Sequence, residues 1–317
     1  MVKFQNMGKE VLLIIGRGIG QVMFQNNAFS GLLMLIGIAC NSLLLAFLAL
    51  AGNVASTLMA LLVGYSKDDI RNGLYGFNGT LVGIAIGVFM KINFISIFLL
   101  ILASCFSAWV TNLFSRQEKL PGFTAPFIIT IWLLLISCHY LCPFLFLSSV
   151  SRVIEQSADL FRAFSLNMGQ VMLQGNSVLT GLFFLIGIFI NSRINAIYAI
   201  LGAVIPLMMV LWCKDDYFAF NTGMLGYNGV LCCIAIGDRS KTGIVFATLS
   251  VFLSIILQVV GMNLDVTTLT APFVLSVWMV LGIRCITLKK VLQLGKCLRL
   301  RWIGFVCVKL LFVWLYL

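Results

Sequence analysis

The sequence predicts an all-α membrane protein of about ten transmembrane helices, in two inverted homologous halves with re-entrant or broken helices around a central pore. Two observations carry this. Of 317 residues 61% are hydrophobic and 10% charged, a composition that a water-soluble globule could not expose without aggregating. The chain also repeats itself. Gly20-Gln21-Val22-Met23-Phe24-Gln25 returns as Gly169-Gln170-Val171-Met172-Leu173-Gln174, and Gly76-Phe77-Asn78-Gly79 as Gly226-Tyr227-Asn228-Gly229. Thr124-Ala125-Pro126-Phe127 returns as Thr270-Ala271-Pro272-Phe273. The words keep their order at offsets of 149, 150 and 146 residues. Duplicated membrane halves with matched polar interruptions mark a transport pathway at the repeat interface.

Apolar runs of spanning length fall at 28–48, 49–65, 92–114 and 124–147, and again at 178–192, 194–213, 243–263 and 270–287. Shorter Gly-rich runs lie at 78–90 and 228–237, giving five segments per half. The runs are continuously apolar and do not alternate every second residue, so helices are expected over barrel strands. The polar stretch Ser148 to Arg162 joins the halves. The chain therefore divides into a first half at 1–150, a linker at 151–165, a second half at 166–288 and a basic tail at 289–317 that includes a short apolar segment. Five spans before the linker is an odd number, so the halves should be inverted across the membrane. Lys67-Asp68-Asp69 answers Lys214-Asp215-Asp216 just before each Asn-Gly word.

The net charge of +11 comes from basic residues set singly between apolar runs, with no patch able to track a nucleic-acid backbone. Arg284, Lys289, Lys290, Lys296, Arg299 and Arg301 follow the last strong span, and Lys3, Lys9 and Arg17 outnumber Glu10 before the first. Both termini should face the cytoplasm. No cleavable signal is expected, because the opening is polar and Val11 to Ile15 is too short for a signal core. The ten cysteines have no partners at matching places in the other half and read as small buried hydrophobes.

Asn-Gly inside an apolar run weakens a helix, since Gly frees the backbone and Asn competes for its hydrogen bonds. Two such pairs at matched positions look like helices that stop or begin in mid-membrane, where a cavity satisfies the loose backbone. Gln21 and Gln170 each offer one acceptor and two donors without burying a charge; they could equally join helices. Thr124 and Thr270 stand two residues before a proline, where hydroxyl and freed carbonyls can line a path or where Thr can cap a helix start. Asp and Glu lie almost wholly at the ends of the runs and His139 is the single histidine. The spans thus suit a neutral solute moving passively, without a coupling ion. Cys138-His139-x-x-Cys142 lacks a fourth ligand, and no metal or cofactor is expected.

The doubled GQVMFQNN/GQVMLQGN, GFNGTL/GYNGVL and LPGFTAPF/LTAPF words resemble the urea transporters over nearly the whole chain to about Leu288. That resemblance implies a homotrimer in the plasma or inner membrane, each subunit with its own pore conducting urea down its gradient, and no enzymatic activity. It places Gln21 and Gln170 at the outer and inner urea sites and Thr124 and Thr270 at the constricted middle. Phe24, Phe77 and Tyr227 match flat aromatic slots, and Leu81 and Leu231 match apolar wall positions. A planar solute with four N–H donors fits a file of acceptor oxygens facing aromatic rings. This chain departs from the pattern at Leu173, opposite Phe24, at Tyr227, opposite Phe77, and in the tail after Leu288. Competing readings are a channel for ammonia, water or a short amide, and a membrane enzyme using His139 or a cysteine.

Overall fold

Side-chain caps start some of the helices, among them those at Ala28–Asn41, Leu43–Val63, Phe94–Arg116 and Lys241–Asn263. The computed structural model describes residues 2–117, 120–147, 155, 157–213 and 217–299. The first half contains α1 (Val2–Gln21), α2 (Ala28–Asn41), α3 (Leu43–Val63), α4 (Lys67–Arg71), α5 (Gly76–Phe89), α6 (Phe94–Arg116) and α7 (Ala125–Leu141). The second half follows in the same order: α8 (Leu160–Gly169), α9 (Val178–Asn191), α10 (Arg193–Cys213), α11 (Tyr217–Asn221), α12 (Tyr227–Ile236), α13 (Lys241–Asn263) and α14 (Ala271–Arg299). Asn27 caps α2 by accepting from the amides of Phe29 and Ser30, and Asn93 with Ser96 forms a full capping box on α6. The Asn-Gly words lie in the first turns of α5 and α12, so a helix starts at each.

The structure differs from the sequence expectation in three places. The break between the first two apolar runs falls at Ser42, not near residue 48. Ser42 is extended (φ −159°) and its hydroxyl accepts from Leu45 N–H, ending α2 and capping α3 inside an unbroken apolar run. Second, α1 and α8 are helices although neither was among the ten expected runs. Each packs against the next helix at a glycine: a Cβ on Gly31 would lie 1.8 Å from the Gly16 carbonyl, and one on Gly181 1.8 Å from the Ser165 carbonyl. That close approach, not hydropathy, holds them. Third, α14 runs past Leu288 to Arg299; residues 300–317, Lys214 to Asp216 and most of the polar stretch after Ser148 lie outside the described residues.

Polarity is arranged as lipid requires. Leu62 and Phe94 are 85% and 96% exposed, while Gln25, Asn53, Asn78 and Gln174 are completely buried. A soluble protein shows the opposite arrangement. Among the described residues three helices, α3, α6 and α13, are long and apolar enough to cross a bilayer, and seven shorter apolar helices accompany them. Within each half the long helix and the interrupted one touch backbone to backbone, at Gly52 against Gly79 and at Gly202 against Gly229.

The halves clasp each other reciprocally. Asn41 Nδ2 donates to Gln174 Oε1 (2.6 Å), and the equivalent Asn191 Nδ2 donates to Gln25 Oε1 (2.9 Å). Trp132 Nε1 donates to the Thr267 carbonyl (2.8 Å), and Trp278 Nε1 to the Pro121 carbonyl (2.9 Å). Each contact is the other with the halves exchanged.

Candidate functional site

The three repeated words converge. Thr124 and Thr270, one from each half, meet with their hydroxyls 2.7 Å apart, and both are buried at 2% and 3% exposure. A residue that sits on a twofold relation must face its own counterpart, and this pair does. The Thr124 hydroxyl is not spent on a helix cap: the residue holds the N-cap position of α7 with no side-chain cap bond. Behind each threonine an Asn from the Asn-Gly word fixes the start of the following helix. Asn78 Oδ1 accepts from Phe127 N–H (3.3 Å), and Asn228 Oδ1 from Phe273 N–H (3.2 Å). The carboxamide thus serves an amide donor that the first turn of a helix leaves unpaired.

Backbone strain gathers at the same place. Phe24 and Leu173 have φ of 60° and 58°, and Phe123 and Leu269, immediately before the two threonines, have 44° and 48°. Bulky non-glycine residues in this region cost of order 1–3 kcal/mol each and persist only where the surroundings enforce them. The four form two pairs related by the repeat, so the geometry is imposed twice on different side chains.

On either side of the threonine pair lies a cavity, and the two share no lining residue. The smaller, about 460 Å³, is bordered by Gln21, Phe24, Phe77, Thr111, Phe123 and Thr124, with further residues of α6 and the loop before α7. The larger, about 730 Å³, is bordered by Gln170, Leu173, Tyr227, Gln258, Thr268 and Leu269, with residues of α2, α5 and α11. Leu81 and Leu231 border neither: both are completely buried beside the centre. Thr270 lines neither as well, while Gln21, Phe24, Phe77 and Thr124 border the smaller chamber and Gln170 and Tyr227 the larger.

The two chambers are not chemically equivalent. Phe24 and Phe123, which line the smaller one, form an edge-to-face triangle with the fully buried Phe273, ring centroids 5.3–6.0 Å apart. Leucines 173 and 269 replace the first two in the other half, so that triangle has no counterpart. Gln21 Nε2 donates to the Asn72 carbonyl (3.0 Å), whereas the Gln170 amide has no hydrogen-bond partner among the described residues. Tyr227, where the first half has Phe77, sends its hydroxyl to Leu269 O and stands 3.4 Å from Gln258 Oε1. His139 is exposed on α7 while Cys138 is buried, so neither points into a chamber. Asp265, which also borders the larger chamber, is exposed.

Sequence reasoning missed Phe123, Phe273, Thr111, Gln258 and Thr268. Phe273 stood inside a quoted word, and Phe123 just before one. Gln258 carried a signal too, as an amide in the apolar run 243–263, but its equivalent in the first half is Thr111, so a search for repeated residues passes over it.

Fold and site together define a polytopic, all-helical membrane protein with two largely apolar chambers, each carrying a few polar side chains, near a buried hydroxyl pair. The sequence model of the family described as urea transporter matches residues 12–284. The chain belongs to the urea transporter family. It is 34% identical to urea transporter 1 of Rattus norvegicus and of Mus musculus and 29% to that of Ovis aries, in each case over 70% of this chain and 61% of the relative. The match thus spans about three fifths of the length of these relatives.

Proposed function

We propose that this chain conducts urea passively across the plasma or inner membrane, through a path that runs from one chamber past Thr124 and Thr270 to the other. The single observation that supports it most is the threonine pair itself: two small neutral hydroxyls, one from each repeated word, in hydrogen-bond contact at a buried place near both chambers. A passing urea would exchange their mutual hydrogen bond for bonds from its own N–H groups, a substitution with little net cost. Gln21 and Gln170 hold the two ends, Phe24, Phe77 and Tyr227 supply flat faces, and Leu81 and Leu231 stiffen the wall around the centre. No ionisable group need enter, so flux follows the urea gradient alone. Membership of a transporter family sets aside the enzyme reading. The family resemblance further supports a homotrimer with one pore per subunit and cytoplasmic termini.

Stopped-flow light scattering on proteoliposomes, with urea, water and methylamine gradients in turn, tests this reading. Urea permeability should exceed that of protein-free vesicles and survive collapse of proton and sodium gradients. Permeability equal to bare lipid overturns it, and a larger response to water or methylamine than to urea moves the chain to the alternative of another small neutral solute.

A further inference from the structure

The polar chemistry of the larger chamber centres on a residue that the repeat does not supply. Gln258 lies on α13, 1% exposed and bordering the cavity. Its Oε1 accepts from Thr268 Oγ1 at 2.9 Å and Asn228 Nδ2 at 3.1 Å, with the Tyr227 hydroxyl, which donates to the Leu269 carbonyl, 3.4 Å away. Those bonds fix the orientation of the carboxamide. Its Nε2 has no hydrogen-bond partner among the described residues, yet it does not fall among the fully enclosed unpaired atoms, which are Ser30, Ser104 and Ser276 hydroxyls. The amide donor is thus held rigidly by its own oxygen and left open to the cavity. An unpaired buried donor costs free energy unless a ligand meets it.

The first half builds the same position differently. There Asn78 Nδ2 donates to Thr111 Oγ1 at 3.1 Å, a residue that carries no amide. Thr111 borders the smaller chamber, so the equivalent surface there offers a hydroxyl already engaged with Ser107 O at 2.8 Å. The larger chamber also has the Gln170 amide, without a hydrogen-bond partner among the described residues, whereas Gln21 is tied to Asn72.

From this we infer that Gln258 is a specificity-determining residue of the larger chamber, its Nε2 donating to the carbonyl oxygen of the solute and making that chamber selective for a strong acceptor. The inference rests on the urea reading above and adds to it the recognition of one atom. Urea's N–H groups are common to thiourea and guanidinium; its carbonyl oxygen is not. Sulfur accepts weakly, so a site that donates to oxygen discriminates urea from thiourea, and a site that only accepts does not.

The test is Gln258→Thr, which recreates the Asn–Thr pair of the first half and so keeps a partner for Asn228 while deleting the amide donor. Urea and thiourea permeability are measured on the same proteoliposomes for wild type and variant. The urea-to-thiourea ratio should fall about two- to tenfold, the worth of one hydrogen bond expressed as occupancy. Gln258→Met, of similar length without either polar atom, should lower the ratio similarly. A Gln258→Thr protein that folds and lowers both fluxes equally, or neither, overturns the inference and leaves Gln258 as a support for Tyr227. Should Gln258→Thr fail to fold, Gln258→Met decides by the same ratio. Wild-type vesicles with no urea flux above bare lipid sink the urea reading and this inference with it; normal wild-type flux with an unchanged ratio in the variants sinks the inference alone.

Discussion

Replacing Thr124 by Val keeps the branched shape and deletes one hydroxyl of a buried pair. Each hydroxyl has the other as its side-chain partner at 2.7 Å, and both side chains are almost completely enclosed. The single substitution therefore leaves Thr270 with an unsatisfied donor and acceptor, at a cost of about 1–3 kcal/mol. Thr270→Val should cost the same. The double variant removes both partners in matching shape and should be close to neutral, so the two substitutions should couple by about 1–3 kcal/mol in a double-mutant cycle. In a domain of this size each kcal/mol moves the melting temperature by roughly 2–4 °C. Apparent melting temperature in detergent, read on the same preparations as urea flux, separates folding from transport. Expected are two destabilised single variants, one double variant near wild type, and lower flux per folded protein in all three. Thr124→Ile should block flux more completely, because the added methylene narrows the gap. Additive losses of stability would show that the hydroxyls do not depend on each other, and unchanged flux in all three would remove the pair from the path.

The other expectations are briefer. Gln170→Leu should reduce urea flux with little change in melting temperature, because its amide has no hydrogen-bond partner among the described residues, whereas Gln21→Leu should also lower stability by about 1 kcal/mol through the orphaned Asn72 carbonyl; equal behaviour of the two would contradict the asymmetry of the chambers. Asp238, in the loop before α13, is pushed up by partial burial, but the Ser240 hydroxyl and amide and the Arg284 guanidinium 3.1 Å away outweigh that and hold its carboxyl below the usual value. A depressed carboxyl stabilises above its ordinary value of about 4 and loses that contribution as pH falls through the folded value, so wild type should lose melting temperature below about pH 4 more steeply than Asp238→Asn, and superimposable profiles would refute the pairing. Crosslinking or mass measurement in mild detergent should return three copies of the chain, and a stable, active monomer would count against a required trimer.

How much of this was legible beforehand depends on which signal each feature carries. Composition and the run lengths gave the helical membrane class, and the repeated words gave three pairs of positions that the fold brings together around one centre. The reason is physical. A buried polar residue in lipid needs a partner, so polar words that survive twice in an apolar chain are bound to meet something, and under twofold symmetry the natural partner of Thr124 is Thr270. Hydropathy could not locate the break at Ser42, because one serine changes the mean of an apolar run very little while its hydroxyl alone ends one helix and caps the next. Nor could it find α1 and α8, which depend on backbone contact at Gly31 and Gly181. The repeat concealed Gln258 by its own logic, since a search for residues that recur discards one that does not. Sequence alone determined the membrane class, because it follows from transfer free energy, and it singled out the doubled words as candidates for a site. Only the tertiary structure decided that the two chambers differ, since whether an amide is tied, like Gln21 to Asn72, or open, like Gln170 and the nitrogen of Gln258, is set by neighbours that lie tens of residues away along the chain.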